Sequence, residues 1–229
     1  MLIQRSNEAL ALRAVNRRDN VLLWMATAFA LALGLAVAVL ATKGINNESL
    51  RLALRLTARL SFMPFWLAYT GSAIASLFGP FFTPIAKRGR DFGLAYAAAL
   101  TVHLATVLGL FVLTSRPPLT GWGLALFLVG AFFTYLLVVF SFGGLSKTLG
   151  AKGWGALRFV AVNYILYAFA VDFIPGAMHA SAHNGLAHLI NYGFFASMTV
   201  AAPFLVLAAA VRRRFGAWRQ QVSLHPIVN

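Results

Sequence analysis

The stretch FGLAYAAALTVHLATVLGLFVLT, residues 92–114, decides the fold class, because it contains no Asp, Glu, Lys or Arg. A helix that crosses a bilayer needs roughly 20 consecutive, mainly apolar residues. Five further stretches come close to that length and composition: 21–41, 61–79, 121–142, 157–174 and 189–211. The sequence therefore predicts an all-α, polytopic membrane helix bundle of about six transmembrane helices.

The composition excludes a soluble globule. Hydrophobic residues make up 60% of the chain, charged residues make up 10%, and the mean hydropathy is +0.78. The net charge of +14 would suggest nucleic acid in a soluble protein, but here the basic residues lie in short clusters between apolar runs. The predicted partner is therefore the lipid bilayer and not nucleic acid. Because the chain has no cysteine, disulfides, iron–sulfur clusters and thiolate metal sites are excluded.

The distribution of Lys and Arg predicts the orientation. With the N-terminus in the cytoplasm, fourteen of the nineteen basic residues lie on the cytoplasmic side of a six-helix arrangement, as the positive-inside rule requires. We therefore predict a single membrane domain, 1–229, with both termini inside. Residues 1–20 form its N-terminal segment, 21–211 its helix bundle and 212–229 its cytoplasmic tail.

One basic segment departs from the rule. In RLALRLTARL, residues 51–60, the arginines recur every four residues and so share one face of a helix. This pattern predicts an interfacial helix that leads into the second span.

His103 lies near the middle of the span 92–114, where an ionisable side chain needs a partner or a function. One interpretation is a neutral imidazole hydrogen-bonded to a neighbouring helix. The other is an axial ligand to haem iron. Position alone does not decide between them.

The surrounding motifs resemble the ferric-reductase-like transmembrane domain family, which includes the haem-binding membrane subunit of the periplasmic methionine sulfoxide reductase system. The resemblance covers residues 57–172. A further part of it is LGAKGWGALRFVAVNYILYAFAVDF, residues 149–173, which is similar to the beginning of the family's fifth helix. The residues that follow the family's order in the second and third helices are Thr57, Arg59, Thr83, Pro84, Arg90, Gly93, Leu94 and His103.

The resemblance implies a membrane subunit of an oxidoreductase that moves electrons through a b-type haem. It implies His103 as an axial ligand, and Arg158 and Arg90 as contacts to haem propionates or to lipid phosphates. The chain carries no flavin or NAD(P) motif, so the electrons would come from a redox partner subunit or from quinone. The family also implies the bacterial cytoplasmic (inner) membrane as the location.

The sequence departs from the family at the fifth helix. Family members carry a histidine after the Trp-x-x-Leu element and a second one about thirteen residues later, whereas here Leu157 is followed by Arg158, and the later position falls at Val171 or Asp172. The alternative is therefore a haem-free bundle that acts in assembly, anchoring or small-solute handling. A transporter is less favoured, because the membrane interior offers only His103 and Asp172 for an ionisable path, and Arg158 lies at the cytoplasmic edge of its predicted span.

The loop before the last span offers a second candidate site. His179 and His183 have the i, i+4 spacing that places two imidazoles on one helical face, and His188 or Asp172 would be a third metal ligand. The alternative is a solvated loop whose histidines only titrate. For Asp172 we expect an ion pair with an arginine of residues 51–59 or with a loop histidine.

Overall fold

A computed structural model describes the backbone of residues 2–115, 119–142, 147–178 and 185–224, and the side chains of residues 20–115, 119–142, 147–178 and 192–215. The described chain contains no strand, so the all-α prediction is confirmed. The helices are α1 (Leu2–Lys43), α2 (Asn47–Phe78), α3 (Thr83–Lys87), α4 (Gly89–Thr114), α5 (Gly121–Phe142), α6 (Gly150–Met178) and α7 (Gly185–Leu224), with a 3₁₀ turn at Pro80–Phe82 before α3.

Five of the described helices contain a segment long and apolar enough to cross a membrane. These segments are Asn20–Lys43, Gly89–Thr114, Gly121–Phe142, Gly150–Met178 and Tyr192–Phe215. They coincide with five of the six predicted spans. The remaining predicted span, 61–79, lies in α2 except for its last residue, and it is less apolar, because it includes Ser61, Thr70, Ser72 and Ser76.

The turn between α1 and α2 is fixed by local hydrogen bonds. Gly44 has φ 76°, a left-handed conformation that ends α1 with little strain because glycine has no Cβ. Asn46 and Ser49 then form a reciprocal cap. The Ser49 backbone N–H donates to Asn46 Oδ1 at 2.9 Å, and the Asn46 backbone N–H donates to Ser49 Oγ at 3.1 Å. This pairing satisfies two backbone donors that would otherwise be unpaired at the start of α2.

Helix α2 continues without interruption from Asn47 to Phe78, although Pro64 lies inside it. Proline removes one backbone donor, and transmembrane helices tolerate this loss better than soluble ones do. The arginine-rich segment 51–60 is therefore helical, as predicted, and belongs to the same helix as residues 61–78.

Two compact units can be distinguished by their internal contacts, and the first consists of residues 1–65 and 90–155. Its core contains small side chains from three helices: Ala32, Ala36, Val39, Ala53, Ala99 and Val102. Small residues allow helix backbones to approach closely, which is the usual mode of packing in membranes.

Tyrosine–threonine hydrogen bonds join α4 to α5 within this unit. The hydroxyls of Tyr96 and Thr134 lie 3.2 Å apart, and those of Thr101 and Tyr135 lie 3.0 Å apart. Each threonine hydroxyl also lies within hydrogen-bonding distance of a backbone carbonyl of its own helix, at 2.9 Å for Thr134 and 3.0 Å for Thr101. The threonines thus donate to the backbone and accept from the tyrosines, so α4 and α5 are held together at two levels.

The second unit consists of residues 66–89 and 156–229. Trp66 Nε1 donates to the Met198 carbonyl at 2.8 Å, and the Tyr69 hydroxyl donates to Asn163 Oδ1 at 2.9 Å. These bonds join α2 to α7 and to α6. Near the end of α6, Gly176 lies against the ring of Tyr192, and a Cβ at this position would overlap that ring.

Candidate intramembrane histidine site

His103 is partly buried in α4 and belongs to the first unit. It follows Val102, which lies with Ala99 in the small-residue core. The preceding turns of α4 are apolar, and the residues from Leu94 to Leu100 are all buried. The predicted position of His103, near the middle of a long apolar helix, is confirmed by the bounds of α4.

The side chain that contacts His103 is Thr57 of α2. Thr57 Oγ1 lies 3.1 Å from His103 Nδ1, and Thr57 itself is 0% exposed. The same oxygen lies 2.8 Å from the Ala53 carbonyl and 3.1 Å from the Leu54 carbonyl. His103 is therefore hydrogen-bonded to a neighbouring helix, as one of the two interpretations of the sequence expects.

The direction of this hydrogen bond follows from a count of hydrogens. A threonine hydroxyl has one hydrogen to donate, and carbonyl oxygens can only accept. We therefore assign the Thr57 hydrogen to the Ala53 carbonyl, 2.8 Å away, and the Nδ1–H of His103 as the donor to Thr57 Oγ1. A neutral imidazole protonated on Nδ1 carries its lone pair on Nε2. We assign this tautomer from the hydrogen-bond network.

Contacts on both sides of this pair set the register of α2 against α4. The ring of Phe65 lies 5.2 Å from the ring of Tyr96, and a Cβ on Gly109 would lie 3.7 Å from Leu50 Cδ2. As the residue number rises in α2 it falls in α4, so the two helices are antiparallel. The pair of Thr57 and His103 lies between these two contacts.

Histidine ligation has a recurring outer shell in which the second ring nitrogen donates to an acceptor and so fixes the ring. Thr57 provides that acceptor, and Nε2 is the nitrogen that remains for a ligand. A ring nitrogen with a free lone pair is what one axial position of a haem requires. Among the described side chains, His103 is the only histidine. The family's fifth helix corresponds to α6, and there the two expected histidine positions fall at Arg158 and at Val171 or Asp172.

Arg90 and Arg158 have different surroundings. Arg90 Nη2 donates to the Ser141 carbonyl at 2.9 Å, and its guanidinium carbon lies 5.8 Å from the centre of the Phe142 ring. Arg90 thus caps the C-terminal end of α5. Arg158 is exposed near the beginning of α6. A propionate or phosphate contact of either arginine stays a prediction.

The loop site is only partly covered by the structure. His179 and His183 lie outside the described residues, and of His188 only the helical backbone of α7 is described. Asp172 is exposed on α6, six residues before that helix ends. Within the described part of the chain, no group of three or more His, Cys, Asp or Glu residues could hold a metal ion. The metal site and the ion pair of Asp172 stay predictions.

The sequence reasoning missed the contact of Thr57 with His103 and the hydrogen bond between Tyr69 and Asn163. Thr57 entered only as part of a family motif, because its contact with His103 depends on the register of α2 against α4. Asn163 carried a usable signal, since an amide in the middle of an apolar helix needs a hydrogen-bonding partner. Comparisons with family models, with curated proteins and with solved structures find no match for this chain.

Proposed function

We propose that this chain is a ferric-reductase-like integral membrane protein that carries electrons through a b-type haem bound by Nε2 of His103. The observation that supports the proposal is the hydrogen bond between Thr57 and Nδ1 of His103, because it leaves Nε2 with the lone pair that iron requires. When bound, the haem would supply one-electron redox chemistry.

The residues of the chain have three roles in this proposal. His103 supplies the ligand nitrogen. Thr57 holds the proton on Nδ1 and orients the ring. Ala99 and Val102 belong to the buried core next to the histidine and help to exclude water, which influences the reduction potential of a bound haem. Electrons would come from a redox partner subunit or from quinone, in a bacterial cytoplasmic membrane.

The proposal includes six spans with both termini inside, so that α2 also crosses the membrane. Its support is the antiparallel packing of α2 along α4, from Leu50 beside Gly109 to Phe65 beside Tyr96. Fifteen residues of helix correspond to roughly 22 Å. A reporter fused to the C-terminus should lie on the same side as one fused to the N-terminus. Reporters on opposite sides would exclude six spans.

The first experiment is a reduced-minus-oxidised absorption spectrum of the purified protein, with a pyridine haemochrome assay for stoichiometry. We expect a b-type spectrum that His103→Ala abolishes. His225→Ala, in the C-terminal tail, is the matched control and should keep the spectrum. A coloured His103→Ala protein would place the ligand elsewhere.

The second candidate function is a haem-free bundle that acts in assembly, anchoring or small-solute handling. The observation that favours it is the presence of Arg158, Val171 and Asp172 at the fifth-helix positions where the family carries histidines. A folded protein that stays colourless after haem supplementation would support this function and exclude the first.

A further inference from the structure

Arg51 and Arg55 are exposed and lie one turn apart on α2. Residues of the same turns that point the other way are buried in the first unit, with Leu50 at 5% and Ala53 at 0% exposure. The first turns of α2 therefore have a packed side and a basic side. The two guanidinium groups are close enough along the helix to contact one small anion together.

Local hydrogen bonds occupy only part of each guanidinium group. Arg51 Nε donates to Asn47 Oδ1 at 2.8 Å, and Arg55 Nε donates to the Arg51 carbonyl at 3.3 Å. No other interaction of these two side chains is present within the described part of the chain. Arginine has five N–H donors in a fixed plane, so the terminal amino groups of both residues remain available to a ligand.

The chain has too few carboxylates to pair with its arginines. It contains nineteen Lys and Arg residues and five Asp and Glu residues. Glu48, which precedes Arg51 by three residues, forms no ion pair with it in the described structure. Within the described part of the chain no carboxylate pairs with Arg51 or Arg55, so both side chains can bind an anion from outside the chain.

The depth of the two arginines indicates what that anion is. Leu50 packs beside Gly109, and Gly109 lies five residues before the end of α4 at Thr114. Arg51 is thus roughly 9 Å from the end of a membrane-spanning segment, and Arg55 lies about 6 Å deeper. Arginine side chains at this depth extend toward the headgroups, where phosphate is the abundant anion.

We propose that Arg51 and Arg55 bind the phosphate of a phospholipid headgroup, on the side of the membrane where α1 ends and α2 begins. This site gives a role to two of the three arginines in the segment that departs from the positive-inside rule. An acidic segment of a soluble protein is a less suitable ligand, because both arginines lie below the end of α4 and so at the level of the lipid.

Native mass spectrometry of the purified protein, titrated with phosphatidylglycerol, tests the proposal. Each basic residue near a lipid headgroup contributes enough for roughly a fivefold change in affinity, so R51Q/R55Q should weaken the tightest binding about 30-fold. The matched control is K147Q/K152Q, which removes two exposed positive charges, one just before α6 and one in its first turn. It should change that affinity less than twofold.

Two further arms identify the chemistry of the ligand. R51K/R55K keeps the charge but loses the planar donor fork, so we expect an intermediate affinity. Phosphatidylcholine, which also carries a phosphate, should bind more weakly and lose affinity in R51Q/R55Q as well. Inorganic phosphate should not displace the lipid. The proposal would be overturned by equal losses of lipid affinity in R51Q/R55Q and in K147Q/K152Q, or by no loss in either variant. Displacement of the lipid by inorganic phosphate would also overturn it.

Discussion

Replacing Thr57 by Val removes the oxygen that lies 3.1 Å from Nδ1 of His103 and nearly preserves the volume of the side chain. The Nδ1–H then loses this acceptor, while the Leu54 backbone, with which the imidazole also forms a hydrogen bond, is unchanged. A hydrogen bond of this kind contributes about 1 kcal/mol, which corresponds to roughly a fivefold change in an equilibrium constant. We therefore expect the ratio of the two neutral tautomers of His103 to shift about fivefold toward the form protonated on Nε2.

The tautomer can be measured by ¹⁵N NMR of histidine-labelled protein in lipid nanodiscs. His179, His183, His188 and His225 are replaced by Gln, so that His103 gives the only imidazole signals. Thr57→Ser keeps the hydroxyl and is the matched control, and its nitrogen shifts should resemble those of the parent protein. Identical nitrogen shifts in Thr57→Val and in the parent would refute the assigned direction of the hydrogen bond, whether or not the protein binds haem.

The same substitution has a consequence for haem binding. Loss of the outer acceptor of a ligating histidine typically costs 10- to 100-fold in affinity for the metal group. If His103 holds a haem, Thr57→Val should weaken haem retention by about that factor and change the reduction potential, while Thr57→Ser should retain the parent values. Unchanged retention and potential in Thr57→Val would mean that Thr57 does not act on the ligand.

Two further predictions concern the packing of the helices. Gly176→Ala places a Cβ in the ring of Tyr192 and should lower the stability in detergent by about 1–3 kcal/mol. Gly155→Ala is the control and should not lower the stability, because its added Cβ would meet nothing within 4 Å. Equal melting temperatures for the two variants would contradict the close approach of Gly176 to Tyr192. Tyr96→Phe and Thr134→Val should each cost about 0.6 kcal/mol, and the double variant should cost less than the sum of the two single changes; strict additivity would show that the hydroxyls do not interact.

Hydropathy predicted the helices that carry a long apolar stretch, but it did not predict their full lengths. The predicted span 21–41 lies inside α1, which begins at Leu2, and the predicted span 189–211 lies inside α7, which ends at Leu224. Hydropathy detects only the apolar part of a helix, and a helix that extends beyond the membrane continues there with polar residues. We also predicted an interfacial helix at residues 51–60 that leads into the span 61–79, because the arginines recur every four residues, whereas residues 51–78 all belong to the single helix α2.

The sequence identified the central residue of the candidate site, but it did not predict the geometry around that residue. His103 was identifiable because an ionisable residue in an apolar run is costly. Its hydrogen bond with Thr57 was not, because a contact between residues 46 positions apart depends on the packing of two helices. The contacts of Arg90 with the Ser141 carbonyl and the Phe142 ring likewise could not be read from the sequence, and its contact with a cofactor or a lipid stays a prediction.

The helix caps that Arg212 and Arg90 provide can form only at different stages of chain synthesis. Arg212 Nη1 donates to the Leu77 carbonyl at 2.8 Å, 135 positions earlier in the chain. The end of α2 therefore receives this donor only after α7 has left the ribosome, whereas Arg90 is already present when α5 is made. Charge substitutions designed to alter insertion would also remove a helix cap at these two positions, so changed orientation and incomplete assembly must be measured separately in such variants.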